Sequence, residues 1–114
     1  MATIADLEEL QDGISASIQT LLQAYGACAD PVLSATILGQ SQQLAAQMSQ
    51  IETNLFHQQA IQAGATIDRA FASARGFTAE LKDLARSLDR VSDIITAGAK
   101  LVGVVTQIIS YLAL

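Results

Sequence analysis

The sequence predicts an all-α fold, and three features carry that prediction. Alanine and glutamine, twenty and twelve residues respectively, make up more than a quarter of the 114 residues, and a single proline is present. Both residue types enter helices at little entropic cost. Apolar residues also recur at intervals of three and four along most of the chain. A sandwich or barrel would need regularly spaced turn residues and β-branched runs, which this sequence lacks.

The spacing predicts one domain over 1–114 with three helices, at about 3–27, 31–74 and 77–113. Thr3 and Asp6 suit the start of the first helix, where negative charge is favourable. Asp30 is placed to cap the second helix, with Pro31 at its first position, where a missing N–H does no harm.

The second predicted helix has two unusual properties. Its apolar register slips at residues 55–59, which predicts a bend or a local change in supercoiling. Glu52 is the only formal charge between Val32 and Ile67, so the polar positions are mostly glutamine and serine. Because a solvated helix usually carries more charge, we expect part of this surface to pack against protein.

The third predicted helix has the most regular pattern. Apolar residues follow alternating steps of four and three from Phe77 to Leu112, which predicts a coiled-coil-like helix of roughly 55 Å at 1.5 Å per residue. Together the elements predict an elongated three-helix bundle with a long C-terminal helix. Gly76 marks the expected corner as a C-cap. The alternative is one continuous helix from Pro31, because the preceding register runs through Gly76.

Few residues suggest chemistry. His57 has no ligand-spaced neighbours, and Cys28, the only cysteine, suits a small buried position at a helix end. No glycine-rich phosphate loop and no Ser/His/Asp grouping occurs in the sequence. We therefore expect no enzymatic activity, cofactor, metal or small-molecule substrate. The net charge of −5 argues against binding nucleic acid through its backbone.

The end of the third predicted helix is apolar around most of its circumference. The polar stripe there consists of Thr96, Lys100, Gly103, Gln107 and Ser110. The apolar set consists of Ile95, Leu101, Val102, Val104, Val105, Ile108, Ile109 and Leu112. A helix of this kind must be covered on several sides. Its own bundle, another protein or a lipid bilayer would each provide that cover.

The function predicted from these features is non-enzymatic helical assembly. The chain would act as an adaptor that forms a homo-oligomer or pairs with another helical protein through its apolar C-terminal helix. The alternative is a membrane-active, pore-forming or membrane-inserting subunit that inserts helix 94–114, with the polar stripe on the aqueous side. A coat on a hydrophobic particle ranks below both, because little basic charge is available. The acidic N-terminus lacks the features of a signal peptide, so we expect a cytoplasmic start, with membrane association and signal-less secretion left open.

Overall fold

A computed structural model describes residues 4–57 and 65–111 and has four helices, not the three that the spacing predicts. They are α1 (Ile4–Ala27), α2 (Pro31–His57), α3 (Ala65–Leu84) and α4 (Val91–Ser110). The all-α prediction is confirmed, and the described residues contain no strand. The prediction of a three-helix bundle is wrong.

The first helix and the start of the second follow the sequence prediction closely. Asp30 caps α2, since its Oδ1 accepts hydrogen bonds from the backbone N–H groups of Val32 at 2.8 Å and Leu33 at 3.2 Å. A carboxylate here satisfies N–H groups that have no partner within the helix. Local chemistry is therefore sufficient to define this corner. Thr3 lies outside the described residues.

The predicted helix over 31–74 is in fact two helices, α2 and α3. Among the described residues, α2 ends at His57, within the region where the apolar register slips, and α3 begins at Ala65, while 58–64 lie outside the described residues. The predicted corner at Gly76 is wrong, because α3 continues through it. A Cβ built at Gly76 meets no atom within 4 Å. This glycine therefore occupies an open position inside a helix.

The predicted helix over 77–113 also divides, at Leu84. Two successive tight turns follow, with the N–H of Ser87 donating to Leu84 at 2.9 Å and that of Arg90 donating to Ser87 at 3.0 Å. Neither proline nor glycine lies between Leu84 and Val91. Tertiary packing explains the turn, because folding back lets α4 bury its apolar side against the bundle. Residues 112–113 lie outside the described residues.

The helices form a four-cornered bundle of 43 × 22 × 17 Å. The α1/α2 and α3/α4 pairs are hairpins, α1 packs beside α3, and α2 packs beside α4. Hydrogen bonds from Gln40 to Ile95 and from Gln47 to Val102 show that α2 and α4 run in the same direction. Among the described residues, α2 and α3 are the pair that does not pack together.

All four helices contribute to one apolar core. Its largest fully buried side chains lie at intervals of three, four, seven or fourteen residues within each helix, as expected for helices with one buried side: Leu7, Ile14, Leu21, Ile37, Leu44, Ile51, Ile67, Leu81, Ile94, Leu101, Val105 and Ile108. Gly98 permits close approach at the centre. A Cβ there would lie 3.4 Å from Leu21 and would collide with the amide of Gln40.

Candidate interaction surface

The apolar side of α4 faces the chain's own bundle. Among the apolar residues predicted to form an interface or membrane helix, Leu101, Val104, Val105 and Ile108 are buried in the core. Ile95, Val102 and Ile109 are half-buried and pack against the core from its edge. Leu112 lies outside the described residues. Any contact that this folded chain makes through α4 must therefore use its outer side and the half-buried edge.

The polar stripe is exposed along its whole length, at Thr96, Lys100, Gly103, Gln107 and Ser110. The Thr96 hydroxyl donates to the carbonyl of Ser92 at 2.9 Å, and the Ser110 hydroxyl donates to the carbonyl of Gln107 at 2.6 Å. These hydroxyls are satisfied within α4. They can therefore approach another surface without leaving a donor unpaired.

Two glutamines of α2 bind the backbone of α4. The Nε2 of Gln40 donates to the carbonyl of Ile95 at 2.9 Å. Seven residues later, the Nε2 of Gln47 donates to the carbonyl of Val102 at 3.2 Å and to the Thr106 hydroxyl at 2.8 Å. The sequence-based expectation that part of the glutamine-rich surface packs against protein is met within the same chain. The seven-residue spacing of Gln40 and Gln47 is the signal that could have located the contact.

The Oε1 atoms of Gln40 and Gln47 are buried and have no hydrogen-bond partner. Burying an unpaired acceptor costs roughly 1–3 kcal/mol. Gln40 itself is 7% exposed, and its Oε1 points at the position where Gly98 lacks a Cβ. The two amides thus fix how α2 and α4 align, while adding less stability than fully paired groups would.

Charged side chains are distributed unevenly over the four helices. Ten lie on α1 and α3, whereas α2 and α4 together carry only Glu52, Asp93 and Lys100. Glu52 and Lys100 turn toward α1 and α3, away from the outer surface that α2 and α4 share. Asp93 lies in the first turn of α4, about 100° around the helix from Ser92. Glu52 accepts a hydrogen bond from Gln11 of α1 at 3.0 Å, and the Lys100 Nζ lies 6.0 Å from the ring centroid of Phe77 on α3. Asp93 pairs with Arg90 at 2.7 Å at the start of α4.

The shared outer surface of α2 and α4 is therefore without charge, and we call it the neutral face. Helical spacing places one row from each helix on it, to either side of the contact made by Gln40 and Gln47. The α2 row is Val32, Thr36, Gly39, Gln43, Ala46 and Gln50, and the α4 row is Ser92, Thr96, Ala99, Gly103, Thr106 and Ser110. By the same helical spacing, the half-buried residues Ile95, Val102 and Ile109 fall between the two rows, and we call this line the groove.

The opposite side of the bundle is strongly charged. Arg75 of α3 donates to Asp6 at 2.8 Å and to Glu9 at 2.9 Å, joining α3 to α1. A cavity of about 320 Å³ lies beside these pairs, next to Gly13 and Thr78. The two helices approach closely there, since a Cβ on Gly13 would lie 3.0 Å from Thr78.

The residues considered for chemistry do not come together. Cys28 is half-buried, and its thiol donates weakly to the carbonyl of Asp30 at 3.6 Å. His57 is the last residue of α2, and its side chain lies outside the described part of the structure. Within the described residues, no group of His, Cys, Asp and Glu side chains is arranged to hold a metal ion.

Comparison of the chain with protein-family models, curated proteins and solved structures gives no match. The interpretation of the neutral face therefore rests on the geometry and charge of this chain alone.

Proposed function

We propose that the protein is a non-enzymatic helical assembly protein whose neutral face binds a second copy of the chain. The observation that supports this proposal is that a surface spanning two helices has no charge, although the chain has seventeen charged side chains. Copies with a net charge of −5 repel one another at long range. The neutral face is where two copies can meet without bringing like charges together.

The size and chemistry of the neutral face support this proposal. It is about 30 Å long and about 20 Å wide, so two copies meeting across it would bury on the order of 1,200 Å² in total, within the range of specific interfaces. Ile95, Val102 and Ile109 supply the apolar centre, and the small residues beside them allow helices to approach closely. Coiled-coil-like packing would then occur between copies.

The test introduces a negative charge into the neutral face by Ala99→Glu. The matched control is Ala72→Glu, because Ala72 is also exposed in a helix interior but lies on α3. We expect Ala99→Glu to weaken self-association by about tenfold or more, because the introduced carboxylate is desolvated and faces an identical one. Ala72→Glu should leave association unchanged. Sedimentation velocity over a range of concentrations measures both.

The melting temperature of each variant serves as the control for folding. Both should melt close to the unmodified chain, since each substituted alanine is exposed. Equal association of the two variants, whether it is weakened in both or in neither, would contradict the proposal.

A second candidate function is membrane insertion through α4. The supporting observation is that Val91–Ser110 is long and apolar enough to cross a bilayer, with a mean hydropathy of 1.3. A core helix of a soluble bundle has the same length and composition, so assembly is the better supported proposal. Flotation of the full chain with liposomes, combined with dye release, separates the two. Flotation with release supports insertion, and protein that stays at the bottom without release contradicts it.

A further inference from the structure

We infer that the two copies form a closed pair about a two-fold axis near Val102, with their α4 helices antiparallel across the neutral face. This inference rests on the proposed self-association and adds its geometry and its stoichiometry. A two-fold interface is isologous, so each residue must be compatible with its symmetry mate on the other copy.

The α4 row of the neutral face meets that requirement. From Ser92 to Ser110 its residues are Ser, Thr, Ala, Gly, Thr and Ser, with steps of four, three, four, three and four. The order and the spacing are nearly the same in both directions. An antiparallel α4 from a second copy therefore places serine near serine and threonine near threonine. The two smallest residues, Ala99 and Gly103, lie opposite each other at the crossing point.

The apolar groove residues have the same symmetry. Ile95 and Ile109 lie seven residues to either side of Val102. In an antiparallel pair centred here, Ile95 of one copy lies level with Ile109 of the other, and Val102 lies against its own mate. The two rows of α4 thus share a centre to within about one residue, or about 1.5 Å along the helix axis.

The charges of α4 fit this arrangement. Lys100 is close to the proposed axis along the helix, but it is turned toward Phe77 on α3 and so lies at the rim. Both copies would then present their charged α1 and α3 helices outward. Because an isologous contact uses the same surface on each copy, assembly through this face stops at two.

Disulfide cross-linking tests the geometry directly. The variants Thr96→Cys and Thr106→Cys are made separately in a Cys28→Ser background, with one of the two carrying a size tag. In the antiparallel pair, the two copies of either position lie about 15 Å apart along the axis, and a disulfide needs Cα atoms within about 7 Å. Position 96 of one copy does lie within about 3 Å of position 106 of the other along the axis. We expect a disulfide-linked pair only in the mixture of the two variants.

The control is a cysteine placed away from the neutral face. Ser73→Cys, exposed on α3, should form no disulfide under the same mild oxidation. A disulfide formed by Thr96→Cys alone and by Thr106→Cys alone indicates parallel helices and overturns the inferred symmetry, while self-association stands. No disulfide in the mixture, with the unmodified chain sedimenting as a pair, also overturns the geometry alone. A chain that sediments as a monomer overturns the proposed function as well.

Discussion

Gly76 and Gly98 are both helix-interior residues, and their surroundings differ completely. Open space lies where a Cβ of Gly76 would stand, whereas a Cβ of Gly98 would collide with the Gln40 amide. Only the second glycine is required by packing. In the sequence, Gly98 occupies a position of the apolar register, whereas Gly76 comes just before Phe77, the first residue of that register. How tightly each glycine is packed still required the structure.

Substitution by alanine should therefore have opposite effects at the two glycines. Gly76→Ala should raise the free energy of unfolding by about 0.5–1 kcal/mol, because alanine loses less entropy than glycine in a helix. Gly98→Ala should lower it by about 1–3 kcal/mol through overpacking. Urea denaturation measures both. A loss of stability in Gly76→Ala would indicate that α3 does not continue through this residue.

Gln40 and Gln43 provide a second matched pair. Gln40→Glu places a carboxylate in a buried position, and an unpaired buried charge typically lowers stability by about 3 kcal/mol or more. Gln43→Glu places the same charge on the exposed neutral face, so the fold should remain stable while self-association weakens. Thermal melting and sedimentation of the two variants check this contrast. Equal melting temperatures would show that the Gln40 side chain is not enclosed between α2 and α4.

At the scale of the helices, the sequence predicted what local chemistry determines. The end of α1 and the start of α2 follow from the Asp30 cap and Pro31. The break after Leu84 could not be predicted, because 85–90 contain no helix breaker and the apolar register runs through them. Gly76 led to the opposite error, because the sequence predicted the end of a helix there and α3 continues through it. An exposed glycine is tolerated inside a helix at about 1 kcal/mol.

Only part of the neutral face could be recognised from the sequence. The scarcity of charge between Val32 and Ile67 and the polar stripe of α4 were each evident. Recognising that these two features form one surface requires knowing that α2 packs beside α4 rather than beside α3. That adjacency depends on the fold-back after Leu84, which is a tertiary effect. The polar and apolar residues of α4 were identified as sets, but which side faces the bundle required the structure.

At the scale of the whole molecule, charge separates the bundle into two sides. The α1 and α3 side holds the ion pairs of Arg75 with Asp6 and Glu9, and the α2 and α4 side presents the neutral face. A closed pair would bury the uncharged sides and leave the charged sides in solvent. This arrangement satisfies both the hydration of the charges and the burial of Ile95, Val102 and Ile109.

This charge distribution predicts how association responds to salt. Two copies with a net charge of −5 repel each other, and the neutral face contains no ion pairs for salt to weaken. Raising the ionic strength shortens the Debye length, which is about 10 Å at 0.1 M, and so reduces the repulsion. We expect the dissociation constant of the pair to fall as sodium chloride is added. Weaker association at high salt would indicate an interface held by ion pairs, on the α1 and α3 side.

The most direct test of the account is the mass of the unmodified full chain in sedimentation equilibrium, from low micromolar to near-millimolar concentration. Self-association through an isologous neutral face predicts a mass that rises from 12.0 kDa to twice that value and then stays constant. A mass that remains at 12.0 kDa over the whole range would contradict self-association. A mass that continues to grow beyond two copies would contradict the closed pair.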